Sequence, residues 1–428
     1  MATPTNVTDG FIPTGTQYTW DTPVYSNASV TGGVSRSTLS TAVFGGALNN
    51  PTAAQQTASY RVTPSAGSCL GASFTLVITI DPKPSINAMS TVVCSGTQFV
   101  IYPANGTNGV VPGDTRYSWS NPTGSNISNG QQSNNQPFIE GTLSNGVNTQ
   151  RTATYIVTPS YGTCSGLTLS GNQFTLTVFV DPTPSVSTIN SWICSGTSFA
   201  VTPTNTTDGL VPNGTTYRWS APTYSNASLS GGVSNSTASL NLVGGPLLNP
   251  TAFENTASYS VIPRAGSCDG SSFALIVTVA PRPVINAMST VVCSGVQFTL
   301  NPTNITNGVV PSNTLYSWGV PTGLNIGNGQ AASNQTSIIG TLTTGANAIR
   351  TATYIVTPSY GGCTGSQFTV IISVNPAPAI NTINRTICTG TSFAVNQAME
   401  EMVLYPTIQV LPGVCLRIVM HPLLEDHP

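Results

Sequence analysis

An eleven-residue segment, TATYIVTPSYG, occurs twice in the chain, at residues 152–162 and again at residues 351–361, without a single difference. A catalytic centre is needed only once, whereas a spacer or a multivalent surface gains from copying a whole folding unit. Within the segment, Tyr155 and Val157 are two positions apart and would face the same side of a strand. The copied unit is therefore predicted to be a β domain.

Other landmarks recur with the same period of about 100 residues. Tryptophan occurs at 20, 119, 219 and 318, and the segment INAMSTVVCSG occurs at both 86 and 285. Cysteines form two series, which we call the early cysteines (Cys94, Cys194, Cys293 and Cys388) and the late cysteines (Cys69, Cys164, Cys268 and Cys363). These repeats indicate four units in a duplicated two-domain block.

Proline pairs separate the units, as in DPKP at 81 and DPTP at 181. Proline cannot donate to a strand ladder, so each pair ends a strand and stiffens the linker. The predicted boundaries are repeat 1 (1–84, lacking its first strand), repeat 2 (85–184), repeat 3 (185–283), repeat 4 (284–378), a first-strand stub of a fifth repeat (379–395) and a non-repeat tail (396–428).

Each repeat has the pattern of a small all-β domain. Segments such as FTLVITI at 74 alternate apolar residues with Thr and contain many β-branched side chains. TDG and TNG triplets, for example at 207 and 306, offer a residue that tolerates the left-handed region followed by Gly, which predicts turns. About seven short strands per repeat predict an antiparallel sandwich.

Charge is scarce, which excludes one class of partner. Charged residues make up 6% of the chain, against about 25% in typical globular proteins. Lys83 is the only lysine and the formal net charge is −2, so no basic patch could follow a phosphate backbone. Neither nucleic acid binding nor membrane insertion is predicted, because no run of eighteen apolar residues occurs either.

The repeats also lack the residues of common catalytic sites. Both histidines, His421 and His427, lie in the tail, so no repeat can supply a Ser-His-Asp triad or a histidine-ligated zinc. Carboxylates are scattered, and repeat 2 contains only Asp114, Glu140 and Asp181. We therefore predict no enzyme activity, no cofactor and no metal.

The cysteines predict disulfides and export, because regularly placed cysteines in small β domains are typical of oxidising compartments. We expect each repeat to join its own early and late cysteine, giving Cys94–Cys164, Cys194–Cys268 and Cys293–Cys363. Pairing across a linker, such as Cys69 with Cys94, is the alternative.

Repeat 1 lacks the first strand that the stub carries in surplus, which leaves Cys69 and Cys388 without partners in the within-repeat scheme. One explanation is that the sequence is an excerpt of a longer array. The other is that the stub of one molecule completes repeat 1 of the next by strand addition, with a Cys69–Cys388 bond between neighbouring copies.

The tail differs abruptly in composition and contains both histidines and Cys415. We interpret it as a frameshifted or foreign end, with a genuine docking segment as the alternative.

Four tyrosines in turn-like contexts are candidate surface contacts for sugars or proteins: Tyr25, Tyr161, Tyr224 and Tyr360. They could equally cap the sandwich ends and pack on a neighbouring repeat.

The combination ICSG, YxW, TATYxVTP, GCxG and a closing strand before PxP resembles the PKD-like repeats of large bacterial surface proteins, including gliding-motility and adhesion proteins. The resemblance implies four immunoglobulin-like sandwiches, with Tyr155 placed like a tyrosine corner and Val157 where that fold has a core cysteine. It implies an extracellular structural or adhesive protein on a bacterial cell surface, a rod-like spacer or filament segment. The alternative is an array of carbohydrate- or protein-binding modules that accompanies a secreted enzyme.

Overall fold

The computed structural model describes residues 3–164, 167–384, 386, 390–392 and 394. These residues contain 43 strands and no helix, which confirms the all-β fold class. Two compact units are present, one formed by Met1–Ser187, Pro203–Tyr217 and Ile262–Ser272, the other by Thr188–Thr202, Arg218–Val261 and Phe273–Pro428.

Among the described residues, repeat 1 has eight strands and repeat 2 has twelve. Repeat 1 contains β1 Gln17–Trp20, β2 Val24–Tyr25, β3 Thr31–Gly32, β4 Arg36–Ser40, β5 Leu48–Asn49, β6 Gln56–Ala66, β7 Cys69–Leu70 and β8 Phe74–Ile80. Repeat 2 contains β9 Ser85–Ile86, β10 Met89–Cys94, β11 Gln98–Ile101, β12 Gly109–Val110, β13 Arg116–Trp119, β14 Ile127–Ser128, β15 Ser133–Gln136, β16 Ile139–Thr142, β17 Ser144–Asn145, β18 Arg151–Cys164, β19 Leu167–Ser170 and β20 Phe174–Asp181.

The strands of the last two repeats follow the same order. Repeat 3 contains β21 Ser185–Val186, β22 Ile189–Cys194, β23 Ala200–Val201, β24 Gly209–Leu210, β25 Thr216–Trp219, β26 Thr223–Tyr224, β27 Ser230–Gly231, β28 Asn235–Ser239, β29 Leu242–Val243, β30 Leu247–Leu248, β31 Asn255–Ala265, β32 Cys268–Asp269 and β33 Phe273–Ala280. Repeat 4 contains β34 Val284–Ile285, β35 Met288–Cys293, β36 Gln297–Leu300, β37 Gly308–Val309, β38 Leu315–Trp318, β39 Ala332–Gln335, β40 Ile338–Thr341, β41 Arg350–Tyr360, β42 Cys363–Thr364 and β43 Phe368–Asn375.

Repeat 2 shows how alternation builds the sandwich. Its main sheet has the order β10-β20-β18-β13-β15, and β20 buries every second residue from Phe174 to Val180. Short ladders β11·β16 and β14·β17 lie outside that sheet, and side chains from β11 and β16 join one core cluster with those of the main sheet. Tyr117 and Trp119 are both buried in this core, as their spacing predicts.

In repeats 2, 3 and 4 the second strand (β10, β22 or β35) runs parallel to the last strand of the repeat, which differs from a purely antiparallel sandwich. Residues Met89–Cys94 pair in parallel with Leu176–Asp181, and β22·β33 and β35·β43 repeat this arrangement. In repeat 2 the chain first pairs β9 with β12 and then crosses to the main sheet within two residues, Asn87 and Ala88. This change of layer brings β10 alongside β20 in the same direction.

Repeat 1 has no such strand among the described residues. Its sheet has the order β2-β6-β1-β4, and β8 pairs only with β6. Phe74 at the start of β8 is 37% exposed, whereas Phe174 at the start of β20 is 5% exposed. The edge of β8 that faces away from β6 is therefore open.

The TDG and TNG turns form, but their left-handed residue is two positions earlier than the sequence suggests. Thr206 and Ile305 both have φ of 75°, and Gly106 occupies the corresponding position in repeat 2 with φ of 82°. Asp208 instead accepts a hydrogen bond from the backbone N–H of Thr204 at 2.7 Å. The acidic residue thus closes the turn through its side chain.

Candidate functional site: the stapled junctions

An early cysteine lies where the chain leaves its own repeat. Cys194 ends β22 opposite Ala280, the last residue of β33, because these two strands run parallel. The backbone N–H of Ser195 donates to the carbonyl of Ala280 at 2.8 Å. Ala280 is followed by the linker Pro281–Pro283, so Cys194 is held at the exit of repeat 3.

A late cysteine lies where the chain enters its repeat. In repeat 4, β41 pairs with β43 over Arg350–Val356 and continues to a hairpin in which Tyr360 faces Cys363. Beside this hairpin, a Cβ atom on Gly365 would overlap the carbonyl of Pro283 in the entry linker. Only glycine permits this close approach of hairpin and linker.

The disulfides therefore join consecutive repeats. Cys194 of repeat 3 is bonded to Cys363 of repeat 4, with Cα atoms 5.5 Å apart. Cys94 of repeat 2 is bonded to Cys268 of repeat 3, with Cα atoms 5.6 Å apart. Both Cα separations are usual for disulfides. We call these two bonds the staples.

The predicted within-repeat pairs are wrong. Cys94 is not bonded to Cys164, Cys194 is not bonded to Cys268, and Cys363 is bonded to Cys194 and not to Cys293. The reason is topological, because the early cysteine lies at the exit end of a sandwich and the late cysteine at the entry end.

The alternative pairing of Cys69 with Cys94 is wrong as well, since Cys94 is bonded to Cys268 and Cys69 is a free, exposed thiol. Cys293 is also disulfide-bonded. The side chain of Cys164, and all of Cys388 and Cys415, lie outside the described residues.

Arg282 strengthens the staple between repeats 3 and 4. Its Nε donates to the carbonyl of Ser195 at 2.8 Å, and its Nη1 donates to the carbonyl of Thr364 at 2.6 Å. These acceptors directly follow Cys194 and Cys363, so one guanidinium connects both ends of the staple. The sequence signal for Arg282 is its position between Pro281 and Pro283. The two prolines restrict the backbone of the linker and so fix where the Arg282 side chain begins.

The junction between repeats 2 and 3 has an equivalent bond. Thr183, which occupies the linker position of Arg282, donates its hydroxyl to the carbonyl of Ser95 at 3.0 Å. Ser95 follows Cys94, and a Cβ atom on Gly270 would overlap the carbonyl of Pro184. The same three devices, namely a staple, a linker side chain and a glycine, thus recur at both junctions.

A surface groove of about 790 Å³ lies beside the second staple. It is lined by Ser195, Leu248, Arg282 and Val284 together with residues near Thr364. The Arg282 side chain that borders the groove donates to the carbonyls of Ser195 and Thr364.

The four candidate surface tyrosines are all half-buried. The hydroxyls of Tyr25 and Tyr224 donate to the carbonyls of Gly32 and Gly231, and both residues belong to short strands paired with β6 and β31. Tyr161 and Tyr360 lie on β18 and β41 near the entry hairpins. Of the four, Tyr360 lies beside a staple, since it faces Cys363 in the hairpin of repeat 4.

In repeat 2, Tyr155 lies in the buried position expected of a tyrosine corner, but its hydroxyl does not make the hydrogen bond of that motif within the described part of the chain. Tyr155 and Val157 are both fully buried, and Val157 faces Trp119 across the ladder. The Tyr155 hydroxyl has no hydrogen-bond partner among the described residues, whereas the Tyr60 hydroxyl of repeat 1 donates to the carbonyl of Gly45 at 3.0 Å. Burial raises the pKa of Tyr155 to about 12.

Several carboxylates among the described residues accept hydrogen bonds from nearby side chains. Glu140 accepts from Gln98, Asp181 accepts from Gln150, and Glu254 accepts from the indole N–H of Trp192. No cluster of three or more His, Cys, Asp or Glu residues suited to a metal ion occurs in this part of the chain. Nor do the described residues contain a helix of the length and apolarity needed to cross a bilayer.

Comparison with known proteins identifies the repeats. The sequence model of a family described as "PKD-like domain" matches four segments, residues 3–84, 91–184, 191–283 and 290–378. These segments together make up most of the chain. No curated protein matches the chain significantly.

Solved structures with several small β domains in tandem are similar to the chain at low identity. Three N-terminal domains of the Hoc protein of bacteriophage RB49 are 12% identical over 67% of this chain and 96% of that one, with a TM-score of 0.29. The FN1–FN3 domains of chicken CNTN1 are 11% identical over 66% and 95%, with a TM-score of 0.26.

A glucan utilisation protein of Bacteroides ovatus, SGBP-B, was solved in complex with a mixed-linkage heptasaccharide. It is 14% identical over 67% of each chain, with a TM-score of 0.15. At such TM-scores these structures do not indicate what the present chain binds.

Proposed function

The chain belongs to the PKD-like domain family, and we propose that it is an extracellular structural or adhesive repeat protein, a stiff spacer on a bacterial surface. The observation that supports this proposal best is that each staple joins one repeat to the next. A disulfide within a repeat would stabilise the fold of that repeat, whereas a disulfide between two repeats limits the movement of the junction that connects them. The protein needs no catalytic group for this function.

The chemistry of the junctions supports a location outside the cytosol. Disulfides persist in oxidising compartments and are rare where glutathione keeps thiols reduced. A surface with few charges but many Thr, Ser and Asn side chains remains hydrated without attracting counterions, which suits a passive spacer. The resemblance to repeats of bacterial adhesion and gliding-motility proteins supports the bacterial surface.

Overlap of the two staples gives the proposal a mechanical test. With the two staples alone, the shortest covalent path from Cys94 to Cys363 crosses both disulfides and runs along the 74 residues that separate Cys194 from Cys268. Reduction of both staples leaves only the direct path of 269 residues from Cys94 to Cys363 and therefore releases 195 residues. At about 3.6 Å per extended residue, the fully stretched molecule should lengthen by at least about 600 Å.

Single-molecule pulling from the two termini, with and without a thiol reductant, measures this difference. A spacer should resist extension in its oxidised form and gain the released length only after reduction. An equal extension in both conditions would contradict the proposal.

The binding-module alternative has its own readout. Binding to a glycan array that is lost in a Tyr25→Ala/Tyr224→Ala variant would replace the spacer function by carbohydrate recognition. Tyr102→Ala is a suitable control, because Tyr102 is 68% exposed but lies outside the predicted contact set.

A further inference from the structure

Arg282 retains unused hydrogen-bond donors beside the second staple. Its Nε and Nη1 donate to the carbonyls of Ser195 and Thr364, so the guanidinium is held in one orientation. A guanidinium has five N–H groups, and the two on Nη2 have no hydrogen-bond partner among the described residues. The side chain is therefore fixed in place and can still donate to a ligand.

No carboxylate balances the charge of Arg282 in the described part of the chain. Residues 284–378, which make up repeat 4, contain no Asp and no Glu. Arg282 forms no ion pair with any described residue. The three carboxylates of repeat 3 accept hydrogen bonds from other residues, namely Glu254 from Trp192, Asp208 from Thr204 and Asp269 from Arg264. The guanidinium thus presents a positive charge that an anion could neutralise.

The groove of about 790 Å³ that Arg282 borders, which we call the Arg282 groove, has the size of a small-molecule site. Such sites usually measure about 300–1,000 Å³. Arg282 is the only charged residue of its lining, which also includes the hydroxyl residues Ser230 and Ser366 and the apolar residues Leu248 and Val284. A single cation among hydroxyls and apolar side chains suits a ligand with one negative charge, several hydroxyls and a C–H surface.

The first junction shows that a positive charge is not required to connect two repeats. Thr183 occupies the linker position of Arg282 there and donates to the carbonyl of Ser95, as Arg282 does to that of Ser195. Both junctions also have a staple and a glycine against a linker carbonyl. A neutral side chain is thus sufficient for the linker contact, and the charge of Arg282 is available for a further role.

Strand β30, which lines the groove through Leu248, offers no free edge to a peptide. It pairs with β27 on one side and is bridged through Leu247 to Thr197 on the other. An acidic peptide in an extended conformation would therefore gain no strand pairing from β30. A polysaccharide has no backbone amides to satisfy, and its hydroxyls can bond with side chains such as Ser230 and Ser366.

We propose that the Arg282 groove binds a uronate, a sugar that carries a carboxylate, within an acidic polysaccharide. The carboxylate accepts hydrogen bonds from Nη2 of Arg282, since guanidinium and carboxylate groups have complementary planar geometries. One guanidinium balances one carboxylate, whereas a nucleic acid chain would need several cations. This site goes beyond the spacer function, because it gives the chain a ligand.

Calorimetric titration of the full chain with a short oligogalacturonate tests the proposal. The matched probe is the same oligosaccharide with its carboxyl groups methyl-esterified, which keeps the sugar rings and removes the charge. We expect the acid form to bind at least about tenfold more tightly, because hydrogen bonds to an ionised group are roughly twice as strong as neutral ones. Added salt should weaken binding of the acid form and leave that of the ester unchanged.

Arg282→Thr copies the linker residue of the first junction and should therefore fold with its staple intact, which peptide mapping and thermal unfolding check. Its affinity for oligogalacturonate should fall at least about tenfold. Arg264→Gln is the matched control, because it removes the same charge from a side chain that is 40% exposed in the entry hairpin of repeat 3. It should bind like the parent, and so should Tyr25→Ala/Tyr224→Ala.

Hydrogen exchange locates the ligand on the chain. Oligogalacturonate should slow exchange of the backbone amides of residues 195–196 and 364–366, which border the groove. The amides of residues 95–96, which follow the early cysteine at the first junction, should exchange as they do without ligand. Protection at both junctions would show that Arg282 does not determine the site and would overturn the proposal.

Equal affinity for the acid and its methyl ester would also overturn the proposal, as would no binding of either at millimolar concentration. Undiminished binding by Arg282→Thr, or loss of binding in Tyr25→Ala/Tyr224→Ala, would place the ligand elsewhere. An oligoglutamate peptide that binds as tightly as oligogalacturonate would replace the polysaccharide by an acidic protein segment. None of these results affects the extension test of the spacer function, so the two proposals can fail independently.

Discussion

Cys194 and Cys363 are bonded although 169 positions separate them, and the bond connects the exit of one repeat to the entry hairpin of the next. Arg282 donates to the carbonyls that follow each of these cysteines. Covalent and hydrogen bonds therefore restrict the same junction.

Removing this staple should loosen the junction. By the chain-entropy estimate, a loop of this length is worth about 5 kcal/mol of unfolding free energy. In Cys194→Ser/Cys363→Ser we expect faster proteolysis of the linker at 281–283 and a lower unfolding midpoint. Mass spectrometry of the fragments and thermal unfolding measure both effects.

Cys69→Ser is the control for that variant, because Cys69 is a free, exposed thiol. Its cleavage pattern and unfolding midpoint should equal those of the parent. Equal protease resistance of the linker in Cys194→Ser/Cys363→Ser and in the parent would show that the staple does not restrict the junction.

The turn at Ile305 should become more stable with glycine. Ile305 has φ of 75°, so its backbone has the steric cost of the left-handed region. Its side chain is 89% exposed and therefore gains little stability from burial. We expect Ile305→Gly to stabilise repeat 4 by about 1 kcal/mol, since the left-handed penalty exceeds the entropic cost of glycine. Denaturant unfolding measures the change.

The reverse substitution supplies the control. Gly106 occupies the same turn position in repeat 2 with φ of 82°, and Gly106→Ile should destabilise by about 1–2 kcal/mol. Changes of the same sign in both variants would contradict the backbone explanation.

A buried asparagine links loop and sheet in repeat 2. Asn145 is 3% exposed, and its amide donates to the carbonyls of Thr149 and Val180, each at 2.9 Å. Asn145→Ala should lower the unfolding free energy by about 2–3 kcal/mol, because two buried carbonyls lose their donor.

Repeat 4 has Thr344 in this position, so Thr344→Asn is the complementary variant. It should raise the unfolding midpoint of repeat 4, measured in the same denaturant titration. A destabilised Thr344→Asn would indicate that the bonding of Asn145 depends on features found only in repeat 2.

Two buried tyrosine hydroxyls should respond differently to removal. Tyr60→Phe loses the bond to the Gly45 carbonyl and should cost about 1 kcal/mol. Tyr155→Phe removes a hydroxyl that has no partner among the described residues, and its stability should be unchanged or higher. Thermal unfolding of both variants compares them directly, and an equal loss in both would contradict this difference.

Alkaline pH should unfold the chain through its tyrosines. Burial is the main cause that raises the pKa to about 12 in five of them, namely Tyr117, Tyr155, Tyr217, Tyr259 and Tyr316. Because unfolded tyrosine has a pKa of about 10, this contribution is complete below pH 10 and is lost as pH rises through 12. Circular dichroism with absorbance at 295 nm should show unfolding coupled to tyrosinate formation. Complete ionisation of the tyrosines at pH 10 in a chain that is still folded would contradict this prediction.

The sequence predicts the β domains well because local chemistry determines them. The alternation in β20 and the two-residue spacing of Tyr117 and Trp119 are sufficient to identify the buried face. The fold class and the family are confirmed for the same reason.

The disulfide pairing could not be predicted as easily, because it depends on strand direction. Once β22 is known to be parallel to β33, Cys194 must lie at the exit end, and a cysteine in the hairpin before β33 must lie at the opposite end. The left-handed position of Thr206 was missed because sequence preferences disfavour β-branched residues there.

The staples overlap in sequence, since the first spans residues 94–268 and the second spans residues 194–363. A protease that cuts once anywhere between residues 95 and 362 would therefore leave two fragments still joined by at least one sulfur–sulfur bond. A chain that is cut once in either linker therefore stays in one covalently joined piece until its disulfides are reduced.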